Sequence, residues 1–161
     1  MEWQDLFQYH KWATQKLLDH VGSKDVSLFH QEAKNSFRTI SETYGHVITV
    51  DYLWFKRLTG IEKPDLVSFD VSSVVSTKEA FTRLHEEMEA YFETLSKAQW
   101  NEKLNFTNMK GQPFANSREE MLFTFINHSS YHRGQVTSFL RQFDEEGIPI
   151  DYIYFSKEAQ I

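Results

Sequence analysis

The chain has 161 residues, of which 40% are hydrophobic and 16% aromatic, enough to predict one domain with a buried core over residues 1–161. Its formal net charge of −6 and its lack of a basic run argue against tight nucleic-acid binding, which needs cations to neutralise phosphates. The absence of cysteine excludes disulfides and thiolate metal ligands. Neither a signal peptide nor an apolar run of the roughly 20 residues that span a membrane is visible, so we expect a cytoplasmic protein without nucleic-acid or membrane partners.

Apolar residues at helical spacing predict a first helix over roughly 3–21, ended by Gly22. A second helix is predicted over roughly 36–58, with Gly60 as its C-terminal stop. This second helix is apolar over most of its circumference, apart from a polar strip that holds Thr39, Glu42, Thr43, His46 and Thr49. A helix that is apolar on two sides is usually buried on two sides, so we expect core on one side and a subunit contact on another.

The middle of the chain is predicted to hold a loop and a third helix. Residues 61–76 contain Pro64 and a stretch rich in serine and valine, which indicate a loop. The capping-box spacing of Ser76 and Glu79 then predicts a helix that runs to about Ser96.

The last third of the chain is predicted to hold a hairpin and the longest helix. Residues 103–115 have the pattern of a short hairpin with a turn at 108–111. A second capping box, Ser117 to Glu120, opens a fourth helix that runs to about Phe143, and the tail 151–155 is predicted to pack back as irregular chain. Four long helices without a repeat or a linker predict an all-α four-helix bundle.

Two histidines lie four residues apart in the fourth helix. His128 and His132 share one helix face, and the apolar residues Met121, Phe125 and Phe139 on the same stripe indicate that this face points inward. Burying two imidazoles without partners is unfavourable, and a metal ion would satisfy both. The competing interpretation is a pair of core histidines that are satisfied by hydrogen bonds.

A third histidine, His46, lies in the polar strip of the second helix and could complete a metal site. Two ligands from one helix and a third from its neighbour are a common construction in bundle cores. Three neutral imidazoles leave coordination positions for water or substrate, as in catalytic sites. Zinc is the default ion for three nitrogen ligands, and nickel is the next candidate if extra waters make the site octahedral.

Three further residues are candidates for cofactor or substrate contacts. Gln135 could orient a ligand or bind substrate, or it could hydrogen-bond another helix. Glu42 could accept a hydrogen bond from a metal-bound histidine, or it could face solvent. His10 could line the pocket or reach the ion, although a satisfied core histidine is the favoured interpretation.

The remaining polar residues have simpler interpretations. Arg133 is placed on the face away from the histidine pair and is predicted to be a surface or subunit-contact residue. Asp51 and Trp54 are predicted to pack and form hydrogen bonds. The other three histidines are predicted to be exposed or in loops, namely His20, His30 and His85.

Three segments resemble the DinB family, also called the DinB/YfiT-like metalloproteins, and the resemblance covers nearly the whole chain. Residues 9–14 are similar to the family's Y-N-x-W-A-N opening, 46–60 to its H-x-x-x-x-D-x-x-W segment, and 128–135 to its H-x-x-x-H-R-G-Q signature. His10 and Thr14 stand where the family usually has asparagines, so substrate contacts from the first helix are expected to differ.

The resemblance implies a four-helix bundle in up-down-down-up order, a divalent metal held by His46, His128 and His132, and a homodimer. Characterised relatives include bacillithiol and mycothiol S-transferases and a mycothiol-dependent maleylpyruvate isomerase. The expected function is therefore a metal-dependent transfer of a low-molecular-weight thiol to electrophilic small molecules. The lack of cysteine is consistent with a sulfur that comes from the cofactor. The alternatives are a metal-dependent hydrolase and a non-enzymatic metal-binding dimer.

Overall fold

The computed structural model describes residues 3–158. Residues 1–2 and 159–161, which the single-domain prediction includes, lie outside the described residues. The elements in chain order are α1 (Trp3–Gly22), a 3-10 turn (Val26–Phe29), α2 (Ile40–Leu58), α3 (Val74–Phe92), α4 (Lys97–Asn101), β1 (Lys103–Thr107), β2 (Pro113–Ser117), α5 (Arg118–Gln142) and α6 (Tyr152–Glu158). None of these helices is long and apolar enough to cross a membrane.

The four long helices form a bundle in which α1 and α2 occupy opposite corners. Both α1 and α2 pack against α3 and α5. Helices α1 and α3 are antiparallel, since Gln8 contacts Glu89 and Asp19 contacts Lys78. Helices α1 and α5 are parallel, since His10 contacts Phe125 and Thr14 contacts Arg133. Helices α2 and α3 are also parallel, since Tyr44 contacts Phe81 and Phe55 contacts Tyr91. Thus α1 and α5 run one way and α2 and α3 run the other way, which confirms the predicted up-down-down-up bundle.

Local residue chemistry explains several element ends that the sequence predicts. Gly60 follows α2 with a φ of +99°, in the left-handed region that favours glycine. Gly111 has a φ of +75° in the turn between β1 and β2, which form the predicted antiparallel hairpin. Ser117 and Glu120 cap the start of α5 reciprocally.

Two predicted helix starts are wrong by three or four residues. Helix α2 begins at Ile40 rather than Ser36, because Thr39 accepts a hydrogen bond from the N–H of Glu42 and is the N-cap. Helix α3 begins at Val74, because Ser73 is the N-cap and Ser76 is its capping-box partner rather than the cap itself. The predicted end of this helix near residue 96 is also wrong, since α3 stops at Phe92 and α4 follows.

The tail is helical, so the prediction of irregular chain at 151–155 is wrong. The carboxylate of Glu158 at the end of α6 accepts a hydrogen bond from Nε1 of Trp12 at 2.7 Å and pairs with Lys16. The ring of Phe155 packs 6.0 Å from that of Tyr9. These contacts with α1 stabilise a helix that is too short to be stable by itself.

Aromatic side chains fill much of the core, with the hairpin at one end of the bundle. Trp100 from α4 packs against Phe92 of α3 and stacks on Trp3 of α1. Phe106 of β1 packs edge-on against Trp54 of α2 at 5.3 Å. This packing holds the hairpin against the C-terminal end of α2.

Candidate metal centre

Three histidine side chains from two helices converge between α2 and α5. His46 comes from α2, and His128 and His132 come from successive turns of α5. The Nε2 atom of His128 lies 3.1 Å from Nε2 of His46 and 3.0 Å from Nε2 of His132. His46 and His128 are half-buried, and His132 is buried. The structure therefore brings together the three residues that the sequence analysis selected.

The spacing and protonation of these nitrogens fit a shared ion. Two nitrogens bound to one zinc at about 2.0–2.1 Å lie roughly 2.8–3.4 Å apart, depending on the angle between them. Burial lowers the pKa of His46. Burial, followed by the neighbouring His132 and His46, lowers the pKa of His128 to about 4. Both rings are thus neutral at pH 7, the state that binds metal, and the three histidines could hold a divalent ion.

Gln135 fixes the orientation of one of the three rings. Its Oε1 lies 2.7 Å from Nδ1 of His132, and because an amide oxygen only accepts, Nδ1 is the donor. The Nε2 atom of His132 therefore carries a lone pair, which faces His128. The amide of Gln135 also donates to Oγ of Ser36 at 2.8 Å. Gln135 therefore bonds a histidine of the converging group and the segment before α2.

Replacing Gln135 with alanine is expected to weaken zinc binding about 10–100-fold, because the ring of His132 loses the partner that fixes its tautomer. Titration of metal-free protein with zinc against a competing chelator measures the change. Gln142→Ala is the matched control, since Gln142 ends the same helix and its amide donates to the backbone carbonyls of Lys34 and Ser138. Gln135→Glu retains an acceptor and is expected to retain affinity. Equal affinity in Gln135→Ala and Gln142→Ala would contradict the orienting role.

Aromatic rings form the wall beside the three histidines. The ring of Phe37 lies 4.8 Å from that of His46 and 5.7 Å from that of His132. The ring of Tyr131, which is 64% exposed, packs edge-on against His132 at 5.1 Å. A ligand that approaches the three nitrogens from the open side would therefore meet apolar surface next to them.

Glu42 does not belong to this site. Its side chain is exposed, and its carboxylate accepts a hydrogen bond from the N–H of Arg38 at 2.8 Å. Its own N–H donates to Oγ1 of Thr39 at the start of α2. Of the two alternatives for Glu42, the solvent-facing one agrees with the structure. The residue stabilises the start of α2 and does not bond to His46.

A second group of ionisable side chains is buried deeper in the bundle. His10 of α1, Asp51 of α2 and His85 of α3 each place a potential ligand atom within 4.8 Å of the others. Nη1 of Arg133 lies 3.3 Å from Nδ1 of His10, and because a guanidinium only donates, this Nδ1 accepts. Nε2 of His10 lies 3.1 Å from Oδ2 of Asp51. These side chains and Arg133 form a buried network of ionisable groups, which we call the buried charge network.

The network overturns two predictions and agrees with two others. Arg133, predicted to be at the surface, is 2% exposed and donates to Oγ of Ser130 at 2.7 Å. His85, also predicted to be exposed, is 5% exposed. His10 is fully buried, in line with a core histidine rather than a ligand, and Asp51 accepts a hydrogen bond from the Ser129 hydroxyl, as expected for a hydrogen-bonding residue.

The other two histidines and the tryptophan have structural contacts. Nε2 of His20 lies 2.6 Å from the carbonyl oxygen of Glu146, and Nε2 of His30 lies 2.9 Å from that of Ser72. His30 is exposed and His20 is half-buried. Trp54 packs against the hairpin, as described above. None of these three side chains contacts the converging histidines.

Stability is expected to fall below about pH 6.5 because of His85. The pKa of His85 lies well below its usual range, first because of burial and then because of its neighbours His10, Lys11 and Arg133. The unfolded chain therefore binds a proton near pH 6.5 that the folded protein does not bind. The contribution of neutral, buried His85 to the free energy of unfolding is fully present well above pH 6.5. At pH 5.5 this contribution is smaller by about 1.4 kcal/mol.

Urea unfolding of metal-free protein near pH 7.5 and pH 5.5 tests this expectation. His85→Leu should narrow the difference in unfolding free energy between the two pH values. His30→Leu removes an exposed histidine and should leave the difference as it is in the wild type. If both variants show the wild-type difference, His85 is not the source of the pH dependence.

Comparison with known proteins identifies relatives of this arrangement. A sequence model of the DinB family matches residues 1–160. The protein named DinB from Bacillus subtilis strain 168 is 26% identical over 155 residues, which cover 91% of this chain and 89% of that protein.

Solved structures share the fold at lower sequence identity. A DinB-like protein from Bacillus cereus superposes with a TM-score of 0.71 at 20% identity, covering 91% of this chain and 95% of that one. YfiT from Bacillus subtilis superposes with a TM-score of 0.69 at 16% identity, covering 90% of this chain and 89% of that one. YfiT is described as a probable metal-dependent hydrolase with an unusual four-helix bundle topology.

Proposed function

The chain belongs to the DinB family, and from this premise we propose that it is a metal-dependent thiol transferase. His46, His128 and His132 hold one divalent ion, zinc or nickel. A low-molecular-weight thiol of the bacillithiol type is the proposed co-substrate, and it reacts with an electrophilic small molecule; the ion would supply acidity to the thiol.

The observation that carries the proposal is the convergence of three histidines on a partly exposed face, with Nε2 of His46 and of His132 both within 3.1 Å of Nε2 of His128. Three protein ligands leave room for an external ligand. The chain has no cysteine, so a sulfur nucleophile must come from outside the protein. Among the described residues, the hydrogen-bond partners of the three rings include no carboxylate, which favours a nucleophile that needs no protein base.

A divalent ion held by these histidines would lower the pKa of a thiol bound to it, which supplies a thiolate at neutral pH. The chain's own residues prepare the site. Burial keeps His46 and His128 neutral, and Gln135 holds His132 with its lone pair toward the others. In the overall reaction a carbon–sulfur bond forms, the thiol proton passes to solvent, and the leaving group departs with its bonding electrons.

Turnover assays with the metal-loaded chain test the proposal. Monobromobimane is the electrophile, bacillithiol and mycothiol are the thiols, and the rate is measured with and without each thiol. We expect thiol-dependent turnover in the wild type and in His30→Ala, and none above background in His46→Ala. Absence of thiol consumption at full metal occupancy would contradict the transferase function.

A metal-dependent hydrolase is the second candidate, because YfiT carries that description and shares the fold. It predicts hydrolysis of ester or amide substrates without added thiol, again lost in His46→Ala. Turnover of neither kind at full occupancy would leave a non-enzymatic metal-binding protein. The proposal includes a homodimer, and light scattering coupled to size-exclusion chromatography distinguishes a dimer from a monomer.

A further inference from the structure

We propose that Arg57 forms a binding site for a small oxyanion, a carboxylate or phosphate group, at the end of the bundle away from the three histidines. The site lies between the C-terminal end of α2, the loop that follows it, and the turn of the hairpin. It goes beyond the proposed thiol chemistry and does not depend on the metal.

Arg57 is a buried cation with few partners. Its side chain is only 9% exposed, and its Cζ lies 5.0 Å from the ring of Trp54 and 5.2 Å from the ring of Phe106. Nη2 donates to the carbonyl oxygen of Thr107 at 3.3 Å, and Nε is buried without a hydrogen-bond partner. The two aromatic rings hold the guanidinium but do not neutralise its charge.

The other two buried arginines of the described chain have more partners than Arg57. Arg118 pairs with the carboxylate of Glu102 at 2.7 Å. The guanidinium of Arg133 donates hydrogen bonds to the hydroxyls of Thr14 and Ser130, and although burial lowers its pKa, Tyr9 and then Asp51 oppose that effect. Arg57 has no carboxylate at ion-pair distance within residues 3–158. Burial lowers its pKa without an opposing effect from a neighbouring anion. A buried guanidinium without a counter-charge is unfavourable unless a ligand supplies that charge.

Arg57 lines a cavity of about 560 Å³, a size typical of small-molecule sites. Lys63 and Asp65 from the following loop also line this cavity, so its walls carry two cations and one carboxylate. A guanidinium fork matches the paired oxygens of a carboxylate or phosphate, and a lysine adds a point charge. The chemistry of the lining therefore favours an oxyanion over a neutral or cationic ligand.

The site is separate from the candidate metal centre. Arg57 lies eleven residues after His46 on the same helix, a distance of about 16 Å along its axis at 1.5 Å per residue. No cavity-lining residue is one of the three converging histidines. Loss of metal and loss of anion binding can therefore be measured independently.

Isothermal titration calorimetry tests the proposal. The full chain is titrated with inorganic phosphate and with acetate at constant ionic strength. We expect saturable binding of at least one anion to the wild type, and the preferred anion identifies the ligand class. Arg57→Gln should weaken that binding at least tenfold. Arg83→Gln removes an exposed arginine from α3 and should bind as the wild type does. Metal-free His128→Ala should also bind the anion as the wild type does.

Lys63→Gln provides a second test that does not depend on folding, because Lys63 is exposed. It should weaken phosphate binding several-fold while the circular dichroism spectrum stays unchanged. Absence of saturable binding of either anion to the wild type would overturn the proposal. Equal affinity in the wild type, Arg57→Gln and Lys63→Gln would overturn it as well, because the anion would then bind elsewhere.

Discussion

Replacing His128 with alanine is expected to abolish stoichiometric metal binding. His128 contacts both other histidines, with its Nε2 3.1 Å from that of His46 and 3.0 Å from that of His132. Its removal takes away one of the three ligands. The loss of affinity should exceed the roughly 10–100-fold that removal of an outer hydrogen-bond partner causes.

Elemental analysis and zinc titration of purified protein measure this effect. The wild type and His30→Ala, which removes an exposed histidine elsewhere, should each bind one divalent ion per chain. The His128→Ala protein should bind none at the same free zinc concentration while keeping its helical circular dichroism spectrum. Undiminished affinity in folded His128→Ala would contradict a three-histidine site.

The second large effect is expected from Asp51 at the centre of the buried network. Asp51 is fully buried, accepts a hydrogen bond from the Ser129 hydroxyl at 2.7 Å, and lies 3.1 Å from His10. Asp51→Ala removes the carboxylate beside buried His10 and the acceptor of the Ser129 hydroxyl, and it takes away a charge that opposes the effect of burial on the pKa of Arg133. Removing one member of such a buried group should lower the free energy of unfolding by about 3–5 kcal/mol.

Urea unfolding near pH 7.5 measures this loss, with Asp19→Ala as the matched control. Asp19 is exposed and pairs with Lys78 at the surface, so its removal should lower stability by less than about 1 kcal/mol. A double variant, Asp51→Leu with Arg133→Met, leaves neither charge buried and should be more stable than Asp51→Ala. If Asp51→Ala and Asp19→Ala lose the same amount, Asp51 does not hold the network together.

The features that the sequence predicts correctly depend on local chemistry or on helical spacing. Gly60 ends α2 because of its backbone conformation, and the capping box at Ser117 starts α5. The four-residue spacing of His128 and His132 places both rings on one face in any helix. The position of His46 beside these two rings depends in addition on the packing of α2 against α5, which helical spacing alone does not show.

The prediction that Arg133 is at the surface is wrong because α5 has two buried faces, and the spacing of His128 and His132 indicates only one of them. Helix α5 packs against both α1 and α2, so it has two buried stripes about 100° apart. The second stripe consists of Leu122, Ile126, Ser129, Arg133, Val136 and Leu140. Its helical spacing is visible in the sequence and would have indicated that Arg133 is buried.

For His85 and for some helix ends, the residue type alone predicts the structure incorrectly. His85 lies four residues after Phe81 and three before Met88, both buried, so its position predicts burial although its polarity suggests the surface. Helix α3 begins after Ser73 rather than after Ser76, because Ser73 is the N-cap and Ser76 is its capping-box partner. Both residues are serine, so residue type alone does not show which of them is the cap. Helix α6 depends on contacts with α1 that only the tertiary structure provides.

Anomalous diffraction from crystals of the zinc-loaded chain, measured at the zinc edge, tests the three-histidine site most directly. We predict one strong peak within about 2.0–2.1 Å of the Nε2 atoms of His46, His128 and His132. One zinc per chain without a peak at this position would contradict the three-histidine site. A single peak between His10, Asp51 and His85 would contradict it as well, because the zinc would then be bound by the buried charge network instead.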